Sequence, residues 1–189
     1  ILLLIEKIQN GEYDSLINEI YVDSKLISYQ KERYIKALEQ YEKYFGKTDV
    51  NIFSAAGRSE VCGNHTDHQH GSVLATSVNL DVIAVTNANN TNTVNLISKG
   101  YRMEHVDLSD LSVNEAEYGT TSAIIKGVAK GLSDCGYKIG GFDAYTTSDV
   151  IVGAGLSSSA AFEDVVGVII SGLFNNMEID PVTIAKVSQ

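Results

Sequence analysis

The chain has 189 residues, 44% of them hydrophobic and 20% charged, and its formal net charge is −10. This length and composition are typical of a globular protein with a substantial core and exclude a disordered or fibrous chain. The acidic balance, with no basic stripe, argues against nucleic acid or an anionic membrane as the main partner. A nucleotide remains compatible with it, because a divalent cation and backbone N–H groups can compensate phosphate charge.

Cysteine content and hydropathy indicate the compartment. The two cysteines, Cys62 and Cys135, are too few for a disulfide scaffold and fit a reducing environment. No apolar run approaches membrane-spanning length, and the opening apolar residues lack the basic start and cleavage site of a signal peptide. We therefore predict a cytoplasmic protein. Because the chain begins without methionine and stops inside a predicted helix, we expect it to be a piece of a longer protein.

The first elements in chain order are helical. Residues 1–28 are weakly patterned and predicted to be helical in part. A helix is predicted over 29–45, since apolar residues recur there at the spacing of one helix face and Gly46 follows as a stop. These apolar residues are Tyr34, Leu38, Tyr41 and Phe45. We interpret residues 1–45 as an N-terminal helical extension and 46–189 as the main domain.

From residue 50 onward β-branched residues predominate, and strands alternate with helices. Strands are predicted from residue 50, at 73–85, 93–97 and 103–108, and at 142–146, the last half-exposed because polar residues alternate with apolar ones. Helices are predicted from about 120 to before Gly136, over 158–174, and after Asp180, with Pro181 in the first position. This order predicts an α+β fold with helices packed on a mixed β-sheet.

The most informative segment is the run G-A-G-L-S-S-S-A at residues 153–160, between a strand-like stretch and an apolar helix. Glycines stand where the backbone must bend, and three serines stand where the helix begins. Free N–H groups and the helix dipole at such a point can hold a phosphate without a basic side chain. The alternative is a serine-rich helix cap after a glycine turn.

A second segment, residues 57–71, concentrates polar side chains between two strands. Its Asn-His-Thr-Asp run at 64–67 offers donors and acceptors at short reach, which suits the recognition of several sugar hydroxyls. A zinc site is the competing interpretation, because Cys62, His65, His68 and His70 fall within nine residues. We favour the sugar interpretation and place His68 and His70 on the loop surface.

Together the two segments resemble the galactokinase branch of the GHMP kinase superfamily. The family pattern has Gly-Arg, a Glu-His-Thr-Asp run and a glycine, and then a Gly-x-Gly-Leu-Ser-Ser-Ser-Ala loop. This chain has these parts in that order over about residues 50–189, with Asn64 in the place of the glutamate. The resemblance implies the GHMP-kinase N-terminal fold (ribosomal protein S5 domain 2-like). It also implies an ATP-dependent kinase, with Mg²⁺, for the anomeric hydroxyl of galactose.

The resemblance also implies roles for individual residues. Arg58 matches the arginine that stabilises the reacting sugar oxygen and the phosphoryl charge. The predicted sugar-binding residues are Asn64, His65, Thr66 and Asp67. The predicted nucleotide-binding residues are Gly153, Ala154, Gly155, Leu156, Ser157, Ser158 and Ser159, with Ser98 as a further match near the nucleotide. Ser159 also matches the serine associated with Mg²⁺.

Two departures from the family pattern bear on function. Asn64 stands where the family has glutamate, so a related sugar such as galacturonic acid is an alternative substrate. The family's Mg²⁺-binding glutamate and catalytic aspartate follow shortly after the point where this chain stops. We therefore expect the chain alone to be catalytically incomplete and the parent protein to be the kinase. A non-catalytic sensor of sugar and ATP is the rival from another class.

Overall fold

The computed structural model describes residues 1–63, 71–151, 153 and 155–188. Within them lie six α-helices: α1 (Leu2–Gln9), α2 (Asp14–Tyr21), α3 (Ile27–Phe45), α4 (Thr121–Asp134), α5 (Ser158–Phe174) and α6 (Pro181–Val187). The strands are β1 (Asn51–Cys62), β2 (Leu74–Ala88), β3 (Thr93–Ser98), β4 (Met103–Asp107) and β5 (Phe142–Ser148). In this part of the chain, no helix is long and apolar enough to cross a bilayer.

The five strands form one mixed sheet in the order β1-β2-β5-β3-β4. Only the β3–β5 pair is parallel; the other three pairs are antiparallel. The predicted α+β fold, a mixed sheet with helices packed on it, is therefore confirmed.

The prediction of a half-exposed strand at 142–146 was wrong, because β5 is the central strand and is buried on both sides. The alternation of polar and apolar residues does not reflect exposure here. Asp143 is buried and its carboxylate is hydrogen-bonded by Asn89, Asn95 and Lys47, the last at 2.7 Å. Burial raises the pKa of Asp143, but these donors outweigh it and hold the pKa below its usual value.

Helices cover both faces of the sheet, and alternate residues of β2 point into two separate apolar layers. Val82 and Ala84 pack in the layer that contains α4, α5 and α6. Ile83 and Val85 pack in the other layer, against α1 and α3. The apolar stripe predicted for α3 supplies this second layer. Its members Leu38 and Tyr41 are fully buried, whereas Tyr34 and Phe45 are partly exposed.

A buried ionic network joins α3 to the sheet beneath it. The Arg33 guanidinium donates to Asp81 of β2 at 2.5 Å, to the Asp81 carbonyl oxygen at 2.9 Å and to the Thr147 carbonyl oxygen at 3.0 Å. Asp81 also accepts hydrogen bonds from the hydroxyls of Tyr21, at 2.9 Å, and Ser54, at 2.5 Å. Every oxygen of this buried carboxylate is therefore paired, as a stable buried charge requires.

Helix α5 tolerates its internal glycines because other elements pack against them. A Cβ atom on Gly167 would meet Ile184 of α6, and one on Gly172 would meet the ring of Phe53 in β1. The two glycines are therefore points of close packing between α5 and its neighbours. The last helix begins with Pro181, as predicted, but the Asp180 side chain makes no capping hydrogen bond.

Candidate functional site

The serine-rich loop turns sharply before α5. Gly153, Gly155 and Ser157 have φ angles of 79°, 74° and 54°, in the left-handed region that favours glycine. The Ser157 side chain makes no capping hydrogen bond, so the helix-cap interpretation lacks the contact it requires. A Cβ atom on Gly153 or Gly155 would meet nothing within 4 Å, so the loop backbone is accessible from solution.

The first turn of α5 leaves its N–H groups open to a ligand. The Ala161 N–H donates to the Ser157 carbonyl oxygen at 3.0 Å, which closes the first turn. The N–H groups before it have no partner within the helix, as at every helix N-terminus. This end of α5 therefore offers donors and a positive dipole to an anion.

Strand β1 brings Arg58 to this loop. The pairing of β1 with β2 is irregular between Ala56 and Arg58, and there the Arg58 N–H donates to the Leu156 carbonyl oxygen at 3.2 Å. Gly57 is buried at this contact, where a Cβ atom would lie 3.1 Å from Val150 and 3.2 Å from the Leu156 carbonyl oxygen. The Arg58 side chain is exposed. The two segments that the sequence singled out therefore touch through Arg58.

A cavity of about 510 Å³ lies between the ends of β3 and β5 and the first turns of α4 and α5. Ser98, Ser158 and Ser159 all line it, so the structure brings together three residues that were predicted to lie near the nucleotide. The Ser98 hydroxyl lies 2.7 Å from the Thr146 hydroxyl, which fixes it at the cavity wall. The volume is within the range usual for small-molecule sites.

Two carboxylates of α5 shape the electrostatics beside the loop. Burial raises the pKa of Glu163, and the neighbouring Asp164 raises it further. Burial also raises the pKa of Asp164, while the Ser188 hydroxyl and the Arg58 charge lower it. The positive charge of Arg58 therefore acts on α5 itself. A cation bound near this pair would favour the ionised form of both carboxylates.

Several predicted residues lie outside the described residues. These are Asn64, His65, Thr66, Asp67 and Ala154, together with His68 and His70 of the zinc hypothesis. The sugar-binding set and the zinc hypothesis therefore stay predictions. In the described part of the chain, no group of three His, Cys, Asp or Glu side chains is arranged to hold a metal ion. Cys62 and Cys135 are exposed free thiols.

Five further residues on the wall of this cavity were not predicted from the sequence. The cavity is also lined by Thr121 and Ile124 of α4, Tyr101 and Arg102 of the β3–β4 connection, and Glu104 of β4. Ile124 is only partly buried, because it faces the cavity. Nothing in the spacing of these five residues distinguishes them from an ordinary helix start and a surface turn.

Comparison with known proteins agrees with this geometry. Residues 39–88 match the galactokinase galactose-binding signature, and residues 123–189 match the GHMP kinases N-terminal domain. The galactokinase of Clostridium tetani is 31% identical over 152 residues, which are 80% of this chain and 38% of that protein. The galactokinase of Chloroflexus aurantiacus is 34% identical over 150 residues, which are 79% of this chain and 38% of that protein. The chain thus spans about two fifths of the length of the curated relatives that it matches.

Solved structures give the same result. The crystal structure of Lactococcus lactis galactokinase complexed with galactose superposes with a TM-score of 0.73 at 27% identity, covering 80% of this chain and 40% of that one. Methanococcus jannaschii mevalonate kinase shares the fold, with a TM-score of 0.61 at 18% identity over 75% of this chain and 45% of that one. The chain therefore has the N-terminal domain fold of the GHMP kinases. In sequence it is similar to part of the galactokinases. The resemblance drawn from its two motifs is confirmed, and it extends back to residue 39, inside α3.

Proposed function

We propose that the parent protein is an ATP-dependent sugar kinase that phosphorylates the anomeric hydroxyl of galactose. The observation that carries this proposal is the cavity that joins Ser98 to the first turn of α5, with the backbone of Arg58 hydrogen-bonded to the adjoining loop. Phosphoryl transfer depends mainly on positioning and charge stabilisation. A helix N-terminus, an accessible glycine loop and an arginine are the groups that such a reaction uses.

In this proposal the triphosphate lies on the loop from Gly153 to Ser159 and the rest of the nucleotide extends toward Ser98. The Ser159 hydroxyl is an oxygen ligand of the kind that Mg²⁺ accepts, with water completing the coordination. The ion supplies positive charge against the triphosphate. The N–H groups of the loop hold the phosphates in place, and Thr121 and Ile124 bound the cavity on the α4 side.

The sugar is assigned to the segment that follows β1. Arg58 stabilises the charge that develops on the transferred phosphoryl group and on the attacking oxygen. Asn64, His65, Thr66 and Asp67 bind the sugar hydroxyls. In this proposal none of the described residues is assigned as the base that takes the proton from the anomeric hydroxyl.

Asn64 supports one alternative substrate. A glutamate at this position would repel a carboxylate, whereas an asparagine can donate a hydrogen bond to it. A galactose derivative oxidised at the exocyclic carbon, such as galacturonic acid, is therefore the second candidate. A coupled assay of the parent protein with ATP and each sugar in turn measures kcat/KM for galactose and for galacturonic acid. The sugar with the higher kcat/KM is the substrate.

The nucleotide site is tested on the chain itself. Isothermal titration with Mg·ATP should show saturable binding, and Ser159→Ala should weaken it at least tenfold, because one hydroxyl contact near the phosphates is lost. Ser28→Ala is the matched control, since Ser28 is exposed on α3 away from the cavity. Absence of saturable binding, or equal affinity in the two variants, would refute this assignment.

A further inference from the structure

A second cavity, of about 540 Å³, lies on the opposite side of the sheet from α5. Helix α3 forms one wall, and the ends of β3 and β5 form the other. Its volume is comparable to that of the nucleotide cavity and within the range of small-molecule sites. The proposed kinase function gives this cavity no role.

The base of the cavity is a set of paired polar groups. Arg33 lies 3.1 Å from an Asp149 carboxylate oxygen, and the Tyr29 hydroxyl donates to the other oxygen at 2.8 Å. The Gln30 amide, buried behind the lining, also donates to Asp149 at 3.4 Å. These contacts satisfy the buried charges internally, so the cavity offers directional donors and acceptors without requiring a charged ligand.

Aromatic rings line one side of the cavity. The rings of Tyr44 and Tyr145 lie in a stacked arrangement with their centroids 6.3 Å apart and their planes inclined by 14°. Tyr44 is 44% exposed and Tyr145 is buried, so Tyr44 presents the more accessible ring of the pair. The Lys43 ammonium lies 5.8 Å from the Tyr44 ring centroid. Burial raises the pKa of Tyr145, which keeps its hydroxyl protonated and able to donate. Tyrosine rings thus provide an apolar surface with a polar tip.

The charges around the cavity balance. Glu32, Glu39 and Asp149 face Arg33, Lys36 and Lys99 in the lining, three acidic groups against three basic ones. Lys36 is also paired with Glu32 at 2.5 Å. The carboxylates would repel a bound anion, and the basic groups would repel a bound cation. The lining therefore favours a neutral ligand over either.

We propose that this cavity binds a neutral saccharide of one or two rings. Aromatic faces suit the C–H surface of a sugar ring, and the Tyr, Gln, Glu and Lys side chains around it suit its hydroxyls. The cavity is lined by α3, β3, β5 and the residues that follow β3 and β5. It borders the nucleotide cavity at Ser98, Lys99, Tyr101 and Thr147, which line both.

Tyrosine-labelled protein tests the proposal directly. The 189-residue chain with ¹³C in its tyrosine rings is titrated with glucose, galactose, sucrose and inorganic phosphate, and the Tyr44 resonance is assigned with Tyr44→Phe. At least one of the three sugars should shift the Tyr44 and Tyr145 signals saturably, and phosphate should not. Gln40→Trp, which fills the cavity from α3, should abolish the shift. Lys130→Trp, on the exposed side of α4, should leave it unchanged.

If Gln40→Trp does not fold, Tyr44→Ala replaces it, and Tyr118→Ala at an exposed position is its control. Tyr44→Ala should then abolish the sugar-dependent shift of the Tyr145 signal. The proposal fails if none of the three sugars shifts either tyrosine, if phosphate alone does, or if the cavity variants bind as the controls do. Mg·ATP binding is measured separately. If Mg·ATP did not bind, the kinase assignment would be refuted, whereas the saccharide proposal would be unaffected.

Discussion

The Arg33–Asp81 pair shows how a single residue can link distant segments. Arg33 comes from α3, and its acceptors come from β2 and β5. Both side chains of the pair are nearly fully buried. A buried pair adds little stability beyond a well-packed apolar replacement, but removal of one partner strands the other charge in the core.

Arg33→Met should therefore lower the free energy of unfolding by about 3–5 kcal/mol, because Asp81 would stay buried without its main counter-charge. Urea denaturation followed by circular dichroism at neutral pH measures the change. Lys36→Met on the same helix is the control: its partner Glu32 is exposed, and the unfolding midpoint should stay where it is. Equal midpoints for Arg33→Met and the unmodified chain would show that the buried pair is dispensable.

At this scale the sequence predicts some residues and not others. Arg58 and the loop serines are predictable because short motifs carry them. The burial of Arg33 is not predictable, since a charged residue on a helix of mixed polarity is expected to be exposed to solvent. Its acceptors come from β2 and β5, and only the arrangement of these strands brings them to Arg33. Asp143 is a parallel case, because the pattern cannot show that three donors converge on its carboxylate.

At the scale of elements, the glycines of the helices separate into two kinds. Gly127 of α4 is exposed, and a Cβ atom there would meet nothing within 4 Å. Gly172 of α5 lies against the Phe53 ring and Met177. The first glycine has no packing role, whereas the second allows α5 to approach β1 closely.

Gly127→Ala should stabilise the chain by about 0.5–1 kcal/mol, because alanine loses less backbone entropy in a helix. Gly172→Ala should instead destabilise it by about 1–3 kcal/mol, since the added methyl group overpacks the contact with Phe53. Thermal unfolding of the two variants side by side gives the signs. Stabilisation by both would mean that α5 and β1 have room to separate.

Element positions are predicted well where periodicity is strong. The helix at 29–45 begins two residues earlier than expected and ends at the predicted residue, with Gly46 in the left-handed conformation. The strand at 142–146 exists as predicted, but its exposure does not follow from its pattern. Burial of a strand depends on its place in the sheet order, and that place is set by pairing between residues far apart in sequence.

At the scale of the molecule, the sheet is covered on both faces, and α1–α3 supply one of the covers. We predicted residues 1–45 as an extension apart from the main domain. Leu38 and Tyr41 are fully buried in the layer that also contains Ile83 and Val85 of β2. Such shared burial favours cooperative unfolding of the extension with the sheet.

Leu38→Ala and Leu132→Ala test this cooperativity from the two faces. Both leucines are fully buried, so each substitution should lower the free energy of unfolding by about 2–5 kcal/mol. Each variant should still unfold in one transition, with coincident circular dichroism and tyrosine fluorescence curves. An early transition confined to Leu38→Ala would instead identify residues 1–45 as a separately folding unit.

Fold class and motif positions are thus available from the sequence, because binary patterning and short motifs are local. The second cavity is not, since its walls come from α3, the β3–β4 connection and β5. Nor is the contact of Arg58 with Leu156, which requires the irregular pairing of β1 and β2.

The carboxylate of Asp81 also constrains how the longest strand can align. Neighbouring side chains of a strand point to opposite faces, so an offset of one residue in β2 would turn Asp81 toward the layer of Val165, Val166 and Ile169. An ionised group there would be desolvated among aliphatic side chains. The free-energy cost of a misaligned pairing therefore far exceeds the stabilisation that Asp81 gives to the aligned one. A single acidic side chain in this way disfavours incorrect registers of the whole sheet.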